Sequence, residues 1–220
     1  MSATKTEKPT SVLAEVIRRR VSVRKFKPDP IPDAVLHEIL DVGHLAPSEW
    51  NLQPWRFIVV RDGANRCALG EACPGQNWVG EAPVVLICCG DPMVWREAAA
   101  RVKEMIAAGK SQAEKEVEHV SLIHFEYTAP EAAREFAITN TFIAVQQIVL
   151  VALGFDIASC WIGRAGFDEA AIKRHFHIPN EHLVVALLPM GYAGEPVEPA
   201  PKLPLERVAF AERYGDPSSD

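Results

Sequence analysis

The chain has no CxxC pair and no glycine-rich phosphate loop, and each absence removes a class of protein. Its five cysteines, Cys67, Cys73, Cys88, Cys89 and Cys160, are too few and too irregularly spaced for a disulfide scaffold or a zinc ribbon, so reduced thiols are expected. GxSxG, HExxH, the P-loop and a GxGxxG after a strand are all missing, which leaves hydrolase, zinc-protease, nucleotide-triphosphatase and Rossmann readings without support. The seven histidines are scattered, and His175 and His177 flank Phe176 at a helix end, where they suit the helix dipole better than a metal. No metal site is expected. Positive charge is in deficit, with 23 Lys and Arg against 29 Asp and Glu and a net charge of -6, so no extended basic face for nucleic acid is expected. The opening MSATKTEKPT has no apolar run, and residues 1–10 are expected to be a flexible tail of a cytoplasmic protein.

What is present suits a single enzyme domain. At 220 residues, 48% hydrophobic and 24% charged, the chain can bury a sizeable core. Val12, Leu13, Val16 and Ile17 recur at helical spacing behind Thr10 or Ser11 as a cap. Pro32 and Asp33 open a second helix that ends near Gly43, and residues 56–61 form a strand that turns at Asp62 and Gly63 into a helix holding Cys67 and Leu69. Residues 82–89, APVVLICC, read as a strand covered on both faces, with Cys88 and Cys89 as packing residues. Residues 91–110 read as a charged helix outside the core, followed by an exposed QAEKEVEH. Pro130 starts the longest helical pattern, apolar nearly all round and ending with Gly154 as a C-cap. Thr139, Asn140, Thr141, Gln146 and Gln147 interrupt it, which suits a buried central helix better than a lipid-facing one, and no membrane partner is expected. Strands at 157–162 and 183–190 enclose a helix at 168–176, and Pro196, Pro199, Pro201 and Pro204 bar residues 195–204 from helix and interior strand before helical sequence resumes at 205–214.

Two segments carry chemistry. Residues 46–57, APSEWNLQPWRF, set Ser48, Asn51 and Gln53 between two prolines in a loop joining a helix to a strand, and their hydroxyl and amide groups can both donate and accept. Such a loop can grip a flat, polar-edged ligand or be a wet surface connection. Residues 20–26, RVSVRKF, follow the first helix in a cluster of Arg18, Arg19, Arg20, Arg24, Lys25 and Lys27, a place for one small anion. The alternative is a solvated helix end with Glu15 pairing Arg19.

Together with GFDIASCWIG at 154–163 and LLPMGYAGEPVEPAPKLPLERV at 187–208, these segments resemble the flavin-dependent nitroreductase family, with some likeness to its iodotyrosine deiodinase-like branch. The resemblance implies an α+β fold, a mixed sheet around a long central helix, in an intertwined homodimer with an exchanged C-terminal extension. It implies a domain over residues 11–194, with 91–130 as a variable lid-like region, and an extension over 195–220 that wraps the partner. FMN would lie at the dimer interface, NAD(P)H would be the co-substrate, and a small aromatic acceptor would be reduced in a ping-pong cycle. Arg20, Val21, Ser22, Arg24 and Lys202 match phosphate and ribityl contacts, while Pro47, Ser48, Asn51 and Gln53 match the loop along the ring. Cys160, Trp161, Ile162 and Gly163 match the segment on its other face, with Ser159 and Cys160 as donors near the ring's N5 atom and no protein residue as a nucleophile. Glu49 and Trp50 depart from the pattern and are the candidates for substrate contact. Ala200 stands where relatives often carry a base, and Arg164 where some carry a glutamate. Two alternatives to a nitroaromatic or quinone reductase are a reductive dehalogenase of halogenated aromatics and a flavin-binding protein with little turnover.

Overall fold

The strands β2 (Val84–Gly90) and β5 (Leu183–Gly191) are buried along their whole length, because helices cover both faces of the sheet they centre. They belong to a computed structural model that describes residues 11–109 and 129–216. Five strands run in the order β1 (Trp55–Val60), β2, β5, β3 (Ala158–Ser159), with β4 (Ile162–Gly163) on the same edge of β5 as β3. Every ladder is antiparallel, with Leu86 opposite Leu188 and Ile162 opposite Leu187. The parallel contribution to the sheet is one bridge, Ser22 to Ser159.

Alternation along β2 divides the core in two. Val85, Ile87 and Cys89 face Leu69 of α3 (Gly63–Glu71), Val79 of α4 (Trp78–Glu81) and Ile172 of α7 (Glu169–Phe176). Val84, Leu86 and Cys88 face Ile39 of α2 (Asp33–Gly43) and Val145, Ile148 and Val149 of α6 (Pro130–Gly154). Burial raises the thiols of Cys88 and Cys89, the latter to about 12, and Cys73 in the first core is raised to about 11, so all three are packing groups. Helices α2 and α6 touch at Gly43, where a Cβ would stand 2.3 Å from Cγ1 of Ile148. Only glycine allows that approach.

α6 is the long central helix, and among the described helices it alone is long and apolar enough to cross a membrane, with half of its most apolar stretch already buried inside the chain. Gly154 is its last helical residue, and the left-handed position that closes it is Asp156, at φ 57°, where Gly154 was expected to serve as cap. A short polar side chain tolerates that conformation. The expected strand at 157–162 is two pieces, β3 and β4, that keep one register along β5. Cys160, between them, donates its N–H to the Pro189 carbonyl at 3.3 Å, but Pro189 has no N–H to return.

Two other expectations are corrected. Residues 91–110 are not outside the core: a 3₁₀ turn at Val94–Glu97 leads into α5 (Ala98–Ala107), and Val94, Trp95 and Ala98 are buried with Leu52, Ala133 and Phe136. Apolar residues only partly at helical spacing packed there because β2 delivers the chain beside α6. Residues 205–214 form one 3₁₀ turn, Leu205–Arg207, and then further turns, with Leu203, Leu205, Val208 and Tyr214 exposed. The expected tail at 1–10 and the QAEKEVEH stretch lie outside the described residues.

Candidate functional site

Ser11 caps α1 (Val12–Arg19), its hydroxyl accepting from the Ala14 N–H at 3.1 Å, and the chain leaves the helix extended at Arg20. From there it runs beside β3, held by the Ser22 bridge and by Val23, whose N–H donates to the Ser159 carbonyl at 3.1 Å and whose side chain is buried. That path separates three consecutive arginines. Arg19 turns outward to Asp156, at 2.6 Å, and not to Glu15 as the alternative reading of the cluster had it. Arg18 and Arg20 turn toward a cavity.

The cavity has two lobes that share Arg20, Ser22 and Arg24. The smaller, about 260 Å³, is walled by Gln146 and Val149 of α6 and by Ser159, Cys160 and Trp161. The larger, about 630 Å³, adds Arg18, Val21, Glu198, Ala200 and Lys202, so the proline-rich tail closes it. Its four cations, Arg18, Arg20, Arg24 and Lys202, oppose one carboxylate, Glu198. None of the four has an ion-pair partner among the described residues, and a cavity with unpaired guanidinium groups is prepared for an anion. Cys160 lies in the smaller lobe with its thiol raised by burial, against the opposing pull of Arg24, a Ser22 hydrogen bond and Arg20. The thiol stays protonated and can donate. Trp161 is 49% exposed and meets the Phe142 ring edge-on at 5.2 Å, giving this lobe an aromatic rim.

Gln146 and Gln147, which the sequence marks only as polar interruptions of an apolar helix, have different uses. Gln147 donates to the Val42 carbonyl at 2.9 Å, while Gln146 faces the cavity. Ile162 is turned into the core, and Gly163 pairs with Ala186 in the sheet, so neither lines the cavity. Arg164 donates to the Val184 carbonyl at 3.0 Å and to Glu169 at 2.7 Å. Burial alone would raise the Glu169 carboxyl, but the Val184 N–H, Lys173 and Arg164 outweigh it and hold the group below its ordinary value.

The loop at 46–57 is built under strain. Trp50, Asn51 and Gln53 all have left-handed backbones, at φ 54°, 54° and 49°, a conformation costing about 1–2 kcal/mol per residue. Hydrogen bonds hold it. The Ser48 hydroxyl accepts from the Gln53 N–H at 2.9 Å, the Gln53 amide donates to Oδ1 of Asn51 at 3.0 Å, and Arg101 of α5 donates to the Asn51 carbonyl at 3.2 Å. Trp50 is half-buried against the cluster of Leu52, Val94, Trp95 and Phe136, while Glu49, Pro47 and Asn51 are exposed. The Glu49 N–H donates to Asn140 of α6. Asn140 and Val149 are nine residues apart, which at about 100° per residue puts them on opposite faces of the helix, roughly 13 Å apart along its axis. Within one chain, therefore, the loop and the cavity lie on opposite sides of α6.

Comparison with known proteins gives a consistent result. Residues 17–192 match the Nitroreductase family. The chain is 36% identical to an NADH dehydrogenase of Thermus thermophilus over 193 residues, covering 87% of this chain and 92% of that protein. It is 28% identical to YodC of Bacillus subtilis, provisionally an NAD(P)H nitroreductase, over 89% of this chain and 96% of that one. Among solved structures, the FMN complex of a protein from Exiguobacterium sibiricum, provisionally a nitroreductase, shares the fold with a TM-score of 0.81 at 22% identity, covering 93% of this chain and 99% of that one.

Proposed function

Because this chain belongs to the nitroreductase family, we propose that it is an FMN-dependent oxidoreductase that uses NAD(P)H to reduce a small planar acceptor, a nitroaromatic or a quinone, in two successive half-reactions. The observation that carries the reading is the two-lobed cavity, which joins unpaired cations at one end to an aromatic-rimmed chamber with amide, hydroxyl and thiol groups at the other. That donor set fits the cofactor. Arg20, Arg24 and Lys202 neutralise the phosphate, and the Ser22 hydroxyl donates to it. Gln146, Ser159 and Cys160 supply donors to the ring's polar edge, and Val149 and Trp161 flank its apolar part. Bound there, FMN supplies the electron-carrying chemistry, and the protein holds it, orients it and limits water.

The site is completed by a second copy. The loop of one chain is on the wrong side of its own α6 to reach its own cavity, so Pro47, Ser48, Asn51 and Gln53 serve the partner's cofactor, with Glu49 beside the acceptor. Two other surfaces support an intertwined homodimer. Val12, Leu13 and Ile17 of α1 are 79%, 60% and 48% exposed, as is a run of apolar residues beyond Lys202, and both need a partner to bury them. In this arrangement residues 203–216 lie across the second subunit, and the enzyme works in the cytoplasm.

The test is a spectrum and an assay on the purified protein. Yellow protein that releases FMN on denaturation, and that oxidises NADH or NADPH only when a nitroaromatic or quinone is added, is the expected result. Absence of flavin would sink the reading. Halide release from a halophenol would move the protein to the dehalogenating branch, and bound flavin with no acceptor-dependent oxidation would make it a flavin-binding protein.

A further inference from the structure

We propose that Arg18, in the last turn of α1, is a cofactor-phosphate ligand. This inference rests on the cavity being the FMN site. Three observations carry it. Arg18 and Ala200 line the same lobe, with Arg20, Ser22, Arg24 and Lys202. Arg18 has no ion pair, whereas its neighbour Arg19 is committed to Asp156 on the outside. The chain becomes extended at Arg20, so the helical Arg18 and the extended Arg20 approach one cavity from different directions.

The hydrogen-bonding form of the cations favours this use. A phosphate monoester carries about -1.5 to -2 at neutral pH, and Glu198 in the same lobe adds a carboxylate that must also be offset. Arg20 and Arg24 roughly balance the phosphate and Lys202 balances Glu198, so the number of cations does not decide the matter and the form of the donors does. Lys202 is a point charge without a fork. Arg18 adds a second guanidinium plane on the tail side, where Ala200 offers nothing. The helix thus supplies a fork that the tail, with Ala200 and Lys202, does not.

Flavin binding to the full-length apoprotein tests this, with FMN compared against riboflavin, which has the ring and ribityl chain but no phosphate. Arg18→Ala is expected to weaken FMN about tenfold or more, the scale of one charge-assisted hydrogen bond, and to leave riboflavin affinity unchanged. Moving the guanidinium to the tail, Arg18→Ala with Ala200→Arg, is expected to restore most of the FMN affinity. Equal FMN affinity in Arg18→Ala and parent, or an equal loss for riboflavin, overturns the proposal. Arg20→Ala separates this from the wider reading. If it weakens FMN selectively while Arg18→Ala does not, only the role of Arg18 is wrong; if neither affects FMN, the phosphate does not sit in this cavity and both readings fall.

Discussion

The backbone N–H of Glu49 donates to Oδ1 of Asn140 at 2.9 Å, and this bond ties the loop to the face of α6 turned away from Val149 and the cavity. Asn140 is 6% exposed, and its amide donates in turn to the Phe136 carbonyl at 2.9 Å, so the anchor is fixed inside the chain that supplies it. Under the proposed homodimer, a loop held on one side of the central helix and a cation-lined cavity on the other are half-sites that a second copy completes.

That arrangement predicts complementation. Arg20→Ala is expected to weaken FMN binding by roughly 1.5–3 kcal/mol, and a loop variant such as Ser48→Ala with Asn51→Ala to impair the cofactor wall of the partner. A mixed dimer of the two variants carries one site with both defects and one with neither. Co-expressed, differently tagged subunits should therefore recover about half the parental activity per hetero-dimer. Hetero-dimers no more active than either variant alone would show that each loop serves its own chain.

Arg101 is expected to act through the loop. Its Nε donates to the carbonyl of left-handed Asn51 at 3.2 Å, so Arg101→Ala removes a charge-assisted restraint on a strained segment. FMN dissociation, followed by recovery of flavin fluorescence, should accelerate severalfold, with partial rescue by Arg101→Lys. An unchanged dissociation rate would reduce Arg101 to its contact with Glu104.

Trp50→Ala is expected to cost about 2 kcal/mol of stability, below the roughly 3–5 kcal/mol of a fully buried aromatic because the ring is half-buried. Acceptor preference, measured on the same samples, is the discriminating reading. A changed preference at parental stability would assign the ring to the substrate and not to its cluster with Trp95 and Phe136.

Glu169 gives a pH dependence. Its carboxyl is held below its ordinary value of 4.5 in the folded chain, so the stability it contributes is complete above that value and is lost as pH falls through the lower folded value. Glu169→Gln should melt at lower temperature than the parent at neutral pH, and the gap should narrow on acidification below 4.5. A gap independent of pH would mean that Arg164, Lys173 and the Val184 N–H do not favour the ionised form.

Much of the framework was legible because it rests on local rules. Ser11, Asp62 and Asp168 cap the helices they precede, the apolar run at 82–89 became a strand buried on both faces, and the prolines of 195–204 kept that segment irregular. Where expectation missed, a long-range partner decided the outcome. The helix at α5 entered the core because β2 places it beside α6, and the strand at 157–162 broke because Pro189, distant in sequence, stands opposite Cys160.

The sequence by itself determined the elements, the two segments that bear polar and cationic groups and their family resemblance, because capping, periodicity and residue chemistry are set by neighbours along the chain. The tertiary structure alone decided which two of three consecutive arginines face the cavity, which of two adjacent glutamines lines it, and that loop and cavity occupy opposite faces of α6. A helix carries side chains all round, and which face meets a cavity is settled only when distant strands pair and pack against it.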